Sequence, residues 1–282
     1  MWKRPLVPEP TLAIVIVSHN VRADLERCLQ SVVDCTAPYP TSVVVVDNGS
    51  TDGTLQMVQR DWPGVRAIDA GDNVGFARGS NLGIRATSSE LVLLLNPDTE
   101  VPEGQLPILV RALLADPAAA AAGPRLVDGH DRPELSFGPM MSPWGEYTQR
   151  RLVRAYEAGD AWAVQRVTRM TREAGTRDWV SGACLLARRG DLEAVGLLDE
   201  RYFMYTEDVD LCAAFRARGR TVRFVPTATV RHLRGRSAAT VPAATEVRRR
   251  QSQLAFYRKH HPAWAPVLAW WLRRRGIDIG HG

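Results

Sequence analysis

The sequence predicts an α/β fold built on a mainly parallel central sheet. Three observations carry the expectation. Short β-branched or leucine-rich runs at residues 12–17, 42–46 and 91–95 are apolar at every position, or nearly so, as strands covered on both faces are. Each of the first two is followed by a polar turn and then by apolar residues at helical spacing. The strand-turn-helix unit repeats along the first half of the chain, which calls for crossover connections and not hairpins.

In order, residues 12–17 (LAIVIV) form a strand, Ser18-His19-Asn20 a turn, and Val21, Leu25, Cys28, Leu29 and Val32 mark one face of a helix over 21–33. Residues 42–46 are the second strand, 47–53 a turn and 54–60 a helix. Residues 65–68 are a third strand, 71–75 a glycine-containing loop and 76–86 a helix that leads to the fourth strand, 91–95. Pro97 cannot donate to a ladder and stops that strand. A helix over 103–115 follows, and the alanine run 118–122 reads equally as a strand or a helix end. Glycine, proline and polar residues dominate 128–144, which places the boundary between two halves here. The expected division is 1–123, 124–240 and a helical tail, 241–282. Residues 147–174 read as one or two exposed amphipathic helices with the character of a lid. Strand character returns at 180–187, a short helix at 188–195 and the strongest helix of this half at 206–218; short strands at 222–225 and 229–232 and helices at 246–260 and 264–275 complete the chain.

A hydrophobic content of 45% with 24% charged residues fits a globular protein and excludes a disordered one. The net charge is +5, and its basic clusters at 150–154, 231–236, 248–250 and 273–275 all fall in the second half. That asymmetry points to an anionic partner, a phosphate-bearing substrate or an acidic membrane surface. No nucleic-acid recognition motif accompanies it. Cys28, Cys35, Cys184 and Cys212 have no metal-like spacing and read as reduced, buried thiols in a cytoplasmic protein. The amino terminus lacks the apolar stretch of a signal peptide, and no run is long enough to span a bilayer. The first strand is followed by Ser-His-Asn and not by G-x-G-x-x-G, which argues against a dinucleotide-dependent oxidoreductase.

Two carboxylates, Asp47 and Asp98, follow strands and fall along one edge of the sheet, where open α/β folds bind ligands. Asn48-Gly49 is also the commonest hairpin signal, but a helix follows and no second strand is available to close it. The loop Asp72-Asn73-Val74-Gly75 permits close backbone approach and precedes a helix whose free N–H groups suit a phosphate. In Thr206-Glu207-Asp208-Val209-Asp210, acidic residues at a helix start with Thr206 as cap are one reading. The other rests on spacing. Asp208, Leu211, Cys212 and Phe215 share one face, so Asp208 loses hydration there and becomes a better base. Glu207 and Asp210 fall on other faces, as structural groups or to orient a substrate hydroxyl. His232, beside Arg231, Arg234 and Arg236, is a polar strand end or part of a shell for Mg²⁺ or Mn²⁺.

The segments IVIVSHN, VVVVDNGSTDGT, DNVGFARGSNLGI, LLLNPDTEV, WVSGACLLARR and GLLDERYFMYTEDVDLCAAFRARG, in this order over about residues 12–236, resemble the inverting glycosyltransferases of family 2, with the GT-A fold, and within them the bacterial rhamnosyltransferase-like group. The resemblance implies a nucleoside-diphosphate sugar donor, dTDP-rhamnose ahead of UDP-hexoses, and a glycan or polyprenyl-linked acceptor of cell-surface polysaccharide synthesis. It implies donor binding by Ser18, Asn20, Asp47, Asn73, Gly75, Asn81, Asn96 and Asp98, with Asp47 on the nucleobase. Acceptor binding falls to Trp179, Ser181, Gly182 and Tyr205, and phosphate binding to Arg234 and Arg236. The metal motif maps to Asn96-Pro97-Asp98, where asparagine replaces its first aspartate, so Asp98 and His232 are the expected ligands of Mg²⁺ or Mn²⁺. Asp208 is the expected base, with Glu207 beside it. The tryptophans and arginines of 264–275 suit either a membrane interface at the inner face of the cell membrane or packing on the domain. A homo-oligomer is compatible with the chain.

Overall fold

Strand β1 (Leu12–Ser18) is buried along its whole length. It lies between two parallel neighbours, β2 (Thr41–Asp47) and β4 (Leu91–Leu95). The computed structural model describes residues 9–33, 38–233 and 242–279. On one side of the sheet, Leu12, Ile14 and Ile16 pack with α1 (Arg22–Val33), α2 (Thr54–Asp61) and α4 (Gln105–Leu114). On the other side, Val15 and Val17 meet α3 (Phe76–Arg85), in clusters that also take in α7 (Arg189–Ala194) and α8 (Glu207–Ala217). Each fully buried leucine or isoleucine contributes about 1.5–3 kcal/mol. The absence of alternation in LAIVIV is thus the signature of a strand with helices on both faces.

The main sheet has nine strands in the order β3 (Val65–Asp69), β2, β1, β4, β10 (Cys184–Arg188), β6 (Ala119–Val127), β11 (Thr221–His232) and β5 (Thr99–Glu100), with β8 (Gly175–Arg177) paired to β11. The first four and the β6-β11 pair are parallel. β10 runs antiparallel to both of its neighbours, β4 and β6. A strand buried on both faces looks the same in either direction, so the sequence had no signal for this reversal. It matters for function, because it sets the start of β10 beside the end of β4. A separate pair, β7 (Phe137–Gly138) and β9 (Trp179–Val180), lies outside this sheet.

The structure decides some of these expectations and corrects others. The alanine run is a strand, β6, fully buried over Ala119–Ala122, where small side chains let neighbouring layers close in. The division after residue 123 falls inside that strand, so both halves build one sheet. The two short strands at 222–225 and 229–232 are one strand, β11, whose register shifts between Val225 and Thr229, around Pro226, which has no N–H for the ladder. The run 180–187 is broken at Ser181–Ala183 into β9 and β10. The amphipathic region resolves into α5 (Pro143–Glu157) and α6 (Ala161–Met170).

The last helices, α9 (Pro242–His260) and α10 (Ala265–Arg274), form a third cluster with Tyr202, Val209, Met140 and Met141. α9 is tied in by polar contacts: Tyr257 Oη and Gln253 donate to Glu146 of α5, and Ser252 Oγ to the Met204 carbonyl. α10 buries Ala265, Ala269 and Leu272 and leaves Trp264, Val267 and Trp270 exposed. The packing reading thus describes the buried face of this segment. Among the described residues, no helix is long and apolar enough to cross a membrane. Cys28, Cys184 and Cys212 are buried and free; Cys35 lies outside the described residues.

Candidate active site

The carboxyl ends of β1, β2 and β4 form one rim at the switch point, where β2 and β4 flank β1 and the helices α1 and α3 that lead to them cover opposite faces of the sheet. Ser18 and Asp47 are register partners at this rim. Asp47 is 3% exposed; its Oδ2 accepts the Ser50 N–H at 3.1 Å, while Oδ1 is buried with no partner. Ser18 Oγ is likewise buried and unpartnered. A buried polar atom without a partner costs about 1–3 kcal/mol, so such atoms mark places where a ligand completes the bonding. Asn20, held at φ 55, accepts the N–H of Thr51 and stitches the loop after β1 to the loop after β2.

The next loop is built by asparagines. Asn48 Nδ2 donates to Asn73 Oδ1 at 2.9 Å, Asn48 Oδ1 accepts the Val74 N–H at 3.0 Å, and Asn73 Oδ1 also takes the Gly75 N–H. Gly75 sits at φ 87, and a Cβ there would come within 2.4 Å of the Phe203 carbonyl oxygen, which also accepts the Phe76 N–H. Glycine is therefore required both by conformation and by the approach of the segment that leads to Asp208. Asn81 is 1% exposed and its amide is taken up by Leu198 and Glu200. Its part is to tether that segment to α3, in place of the expected contact with a donor.

Asp98 follows β4 by three residues, and His232 ends β11. His232 Nε2 faces Asp98 Oδ1 at 3.3 Å, and Nδ1 donates to Glu134 Oε2 at 3.1 Å. Burial pulls the imidazole down, but the two carboxylates outweigh it and push the ring up to about 9. Among the described residues, no group of three His, Cys, Asp or Glu side chains converges on a cation position; the pair Asp98 and His232 is what the chain itself brings together. Asn96 anchors the strand end, its N–H donating to the Ala183 carbonyl at 2.9 Å.

That last bond joins the segment of Asp98 to the start of β10, beside which Asp208 is held. Gly182 N–H donates to Asp208 Oδ2 and Val209 N–H to Oδ1, each at 2.8 Å. Asp208 lies in the first turn of α8, half-buried, and a Cβ on Gly182 would stand 3.3 Å from its own Cβ. Tyr205 and Thr206 enter the helix at φ 69 and φ 74, a left-handed pair without glycine that costs about 1–3 kcal/mol per residue and clusters at functional sites. Thr206 makes no side-chain cap, so the capping reading of this turn fails. Burial raises Asp208, partly opposed by its two backbone donors. Glu207 is 7% exposed, has an unpartnered Oε2, and is raised well above the ordinary carboxylate range by burial and by Asp208. Both carboxyls are thus raised, Glu207 further than Asp208, which alone is held by backbone donors.

A pH effect follows from Glu207. Between its ordinary value near 4.5 and its raised folded value, the native state holds a proton that the unfolded chain has released, so stability falls as pH rises through that window. Glu207→Gln is expected to melt with the wild type near pH 4 and above it at about pH 8. Parallel melting curves at both pH values would contradict the buried, protonated state.

The remaining expected residues divide. Gly182, expected to meet the acceptor, holds Asp208; Ser181 donates its N–H to Ser136 and accepts the Ala183 N–H, and Trp179 donates its ring N–H to the Pro139 carbonyl at 2.9 Å. Tyr205 is raised by burial, with the charges of Glu207 and Asp98 acting in the same direction. Asp210 is structural, bonded to Tyr202, Lys259 and His260. Arg234 and Arg236 lie outside the described residues. Sequence reasoning missed Glu134, 98 positions from His232, for which no local signal exists. It also missed Asn48, although it sits next to Asp47 in a quoted motif.

Residues 13–177 match the family described as Glycosyl transferase family 2. The chain is 34% identical to the N-acetylglucosaminyl-diphospho-decaprenol L-rhamnosyltransferase of Mycobacterium tuberculosis, over 93% of this chain and 89% of that one. It is 24% identical to the Rhamnosyltransferase WbbL of Escherichia coli, over 76% of this chain and 80% of that one. Its fold is similar to that of the mannosyltransferase PcManGT from Pyrobaculum calidifontis in complex with GDP-Man and Mn²⁺, with a TM-score of 0.62 and 20% identity over 93% of this chain and 69% of that one. The architecture is that of the GT-A glycosyltransferases.

Proposed function

We propose a specificity from one premise: this chain belongs to glycosyl transferase family 2. On that premise the protein moves L-rhamnose from dTDP-rhamnose to a hydroxyl of an N-acetylglucosamine carried on a polyprenyl diphosphate, with inversion at the anomeric carbon. The observation that carries donor and acceptor is the 34% identity, sustained over 93% of the chain, with a relative named for that transfer. The chemistry is supported by one half-open carboxylate, Asp208, on the same rim as Asp98.

Asp208 takes the proton of the acceptor hydroxyl as that oxygen bonds to the anomeric carbon. The bond from this carbon to the diphosphate breaks on the opposite face, and its electron pair leaves with the diphosphate. A glycosidase needs a second acid for its leaving group; a diphosphate departs as a stable anion. Its two backbone donors fix the orientation of Asp208 and leave other lone pairs for the acceptor proton. Asp47, with Oδ1 unpartnered, receives an N–H of the nucleobase.

Mg²⁺ or Mn²⁺ fits the Asp98 and His232 pair. Their 3.3 Å separation suits neighbouring ligands of an ion that binds each at about 2.0–2.2 Å. Glu134 holds the other ring nitrogen, the arrangement that orients ligating histidines. Two side chains leave positions for phosphate oxygens and water, the usual pattern for Mg²⁺ in phosphate chemistry. When bound, the ion neutralises charge developing on the diphosphate. His232 must give up its Nε2 proton to ligate, so affinity rises with pH. The exposed face of α10, with Trp264 and Trp270 beside Arg273 to Arg275, supports a cytoplasmic protein seated at the inner membrane face.

The donor assignment is tested by transfer to a lipid-diphosphate-linked N-acetylglucosamine with dTDP-rhamnose, UDP-glucose or UDP-N-acetylglucosamine, each with and without Mn²⁺. Rhamnosyl product with dTDP-rhamnose alone is expected. Turnover of a UDP-hexose in its place would move the protein to another donor class.

A further inference from the structure

We propose that the apolar cavity between α5 and α6 receives the first isoprene units of the polyprenyl-diphosphate acceptor, with Arg151 and Arg166 facing its diphosphate. This rests on the lipid-linked acceptor reading above. The cavity measures about 430 Å³ and is lined by Phe137, Trp144, Tyr147, Leu152, Trp162 and Met170 together with the two arginines. That volume is in the range of small-molecule sites. Trp144, Tyr147 and Trp162 are 74%, 56% and 51% exposed. Three large aromatic rings left in water around one concavity mark a binding surface.

Charge selects the occupant. Arg150 on the same helix pairs with Glu146, and Arg169 reaches Glu173. Arg151 and Arg166 have no ion pair among the described residues and stand exposed on the lining. An apolar trough with two uncommitted guanidinium groups matches an amphiphile with an anionic head, and guanidinium is the side chain best suited to phosphate oxygens. A peptide would need partners for its backbone. Thr148 donates into its own helix and Gln149 donates to the Phe137 carbonyl, so the wall offers few.

Continuity places the site. Gly138 and Pro139 belong to the cavity wall. Gly138 pairs with Trp179 across β7 and β9, and the Pro139 carbonyl accepts the Trp179 ring N–H. Three residues after Trp179, the N–H of Gly182 holds Asp208. One short segment therefore runs from the wall of the cavity to Asp208. Glu146 of α5 is clamped by Gln253 and Tyr257 of α9, which fixes this wall to the rest of the fold.

The test uses the full chain and farnesyl diphosphate as probe, followed by tryptophan fluorescence and calorimetry, with inorganic diphosphate, farnesol and phosphatidylglycerol vesicles as comparisons. Farnesyl diphosphate is expected to bind more tightly than inorganic diphosphate. Trp144→Ala and Trp162→Ala are each expected to weaken it about tenfold, in keeping with aromatic anchors at binding sites. Arg166→Gln should weaken farnesyl diphosphate and leave farnesol unchanged. In transfer, the aromatic variants should raise KM for a long-chain acceptor and leave donor KM and the kcat on a short-chain acceptor unchanged. Equal affinity of farnesyl diphosphate for wild type and both aromatic variants would overturn the proposal. So would loss of vesicle binding alone, which would assign the surface to the membrane. Prenyl binding without transfer to any lipid-linked sugar would remove the acceptor reading and keep the site; transfer without prenyl binding would remove the site.

Discussion

Asp208→Asn is expected to lower the transfer rate by roughly 10²–10⁴-fold, the contribution of a positioned general base, with nucleotide affinity unchanged. The separation of effects comes from where the side chain sits. Asp208 is bonded to Gly182 and Val209, whereas Asp47, Asn48 and Asn73, proposed above to meet the nucleotide, are held by other strands and loops. Asparagine keeps one oxygen for the Gly182 N–H. Loss of the second bond costs about 1 kcal/mol, offset by removal of a desolvated charge beside Glu207. Stability should therefore change little, and calorimetric titration with dTDP together with a rate measurement checks both halves. Near-normal turnover would reject Asp208 as the base; a matching loss of nucleotide affinity would make it a structural group.

Asp98→Asn is expected to abolish the stabilisation by Mn²⁺ and to cut transfer by about 10²-fold or more, beyond what changes around a metal's ligands usually cost. Mn²⁺ binding followed by electron paramagnetic resonance gives a readout independent of turnover. The substitution also removes one of the two carboxylates that hold His232 at about 9. The stability contributed by that raised imidazole is fully present below its ordinary value of 6.5 and is lost as pH climbs through about 9. Asp98→Asn should thus lower the melting temperature more near pH 6 than near pH 9.5. Unchanged Mn²⁺ binding would remove Asp98 from the ion site, and an equal loss of stability at both pH values would separate it from His232.

Much of this was written in local pattern. LAIVIV, VVVV and LVLLL are continuous apolar runs because helices cover both faces of their sheet, and each is followed by the turn residues that form the rim. Asp47, Asp98 and Asp208 could be singled out because each follows a strand or opens a helix, positions that period and turn chemistry locate without coordinates. Tertiary structure alone decided the rest. β10 is antiparallel, which a strand buried on both faces does not reveal, and only that reversal brings Gly182 to Asp208 beside the end of β4. His232 meets Glu134 and Asp98 through pairing between strands far apart in sequence, and no spacing rule encodes such a meeting. For Gly182 and Asn81 the family resemblance implied ligand contacts, but in the fold the N–H of Gly182 holds Asp208 and the amide of Asn81 holds the segment that leads to it. Periodicity and turn chemistry act over a few residues and so fix the elements; partners of buried polar groups are chosen by contacts between segments far apart in sequence, which only the folded chain creates.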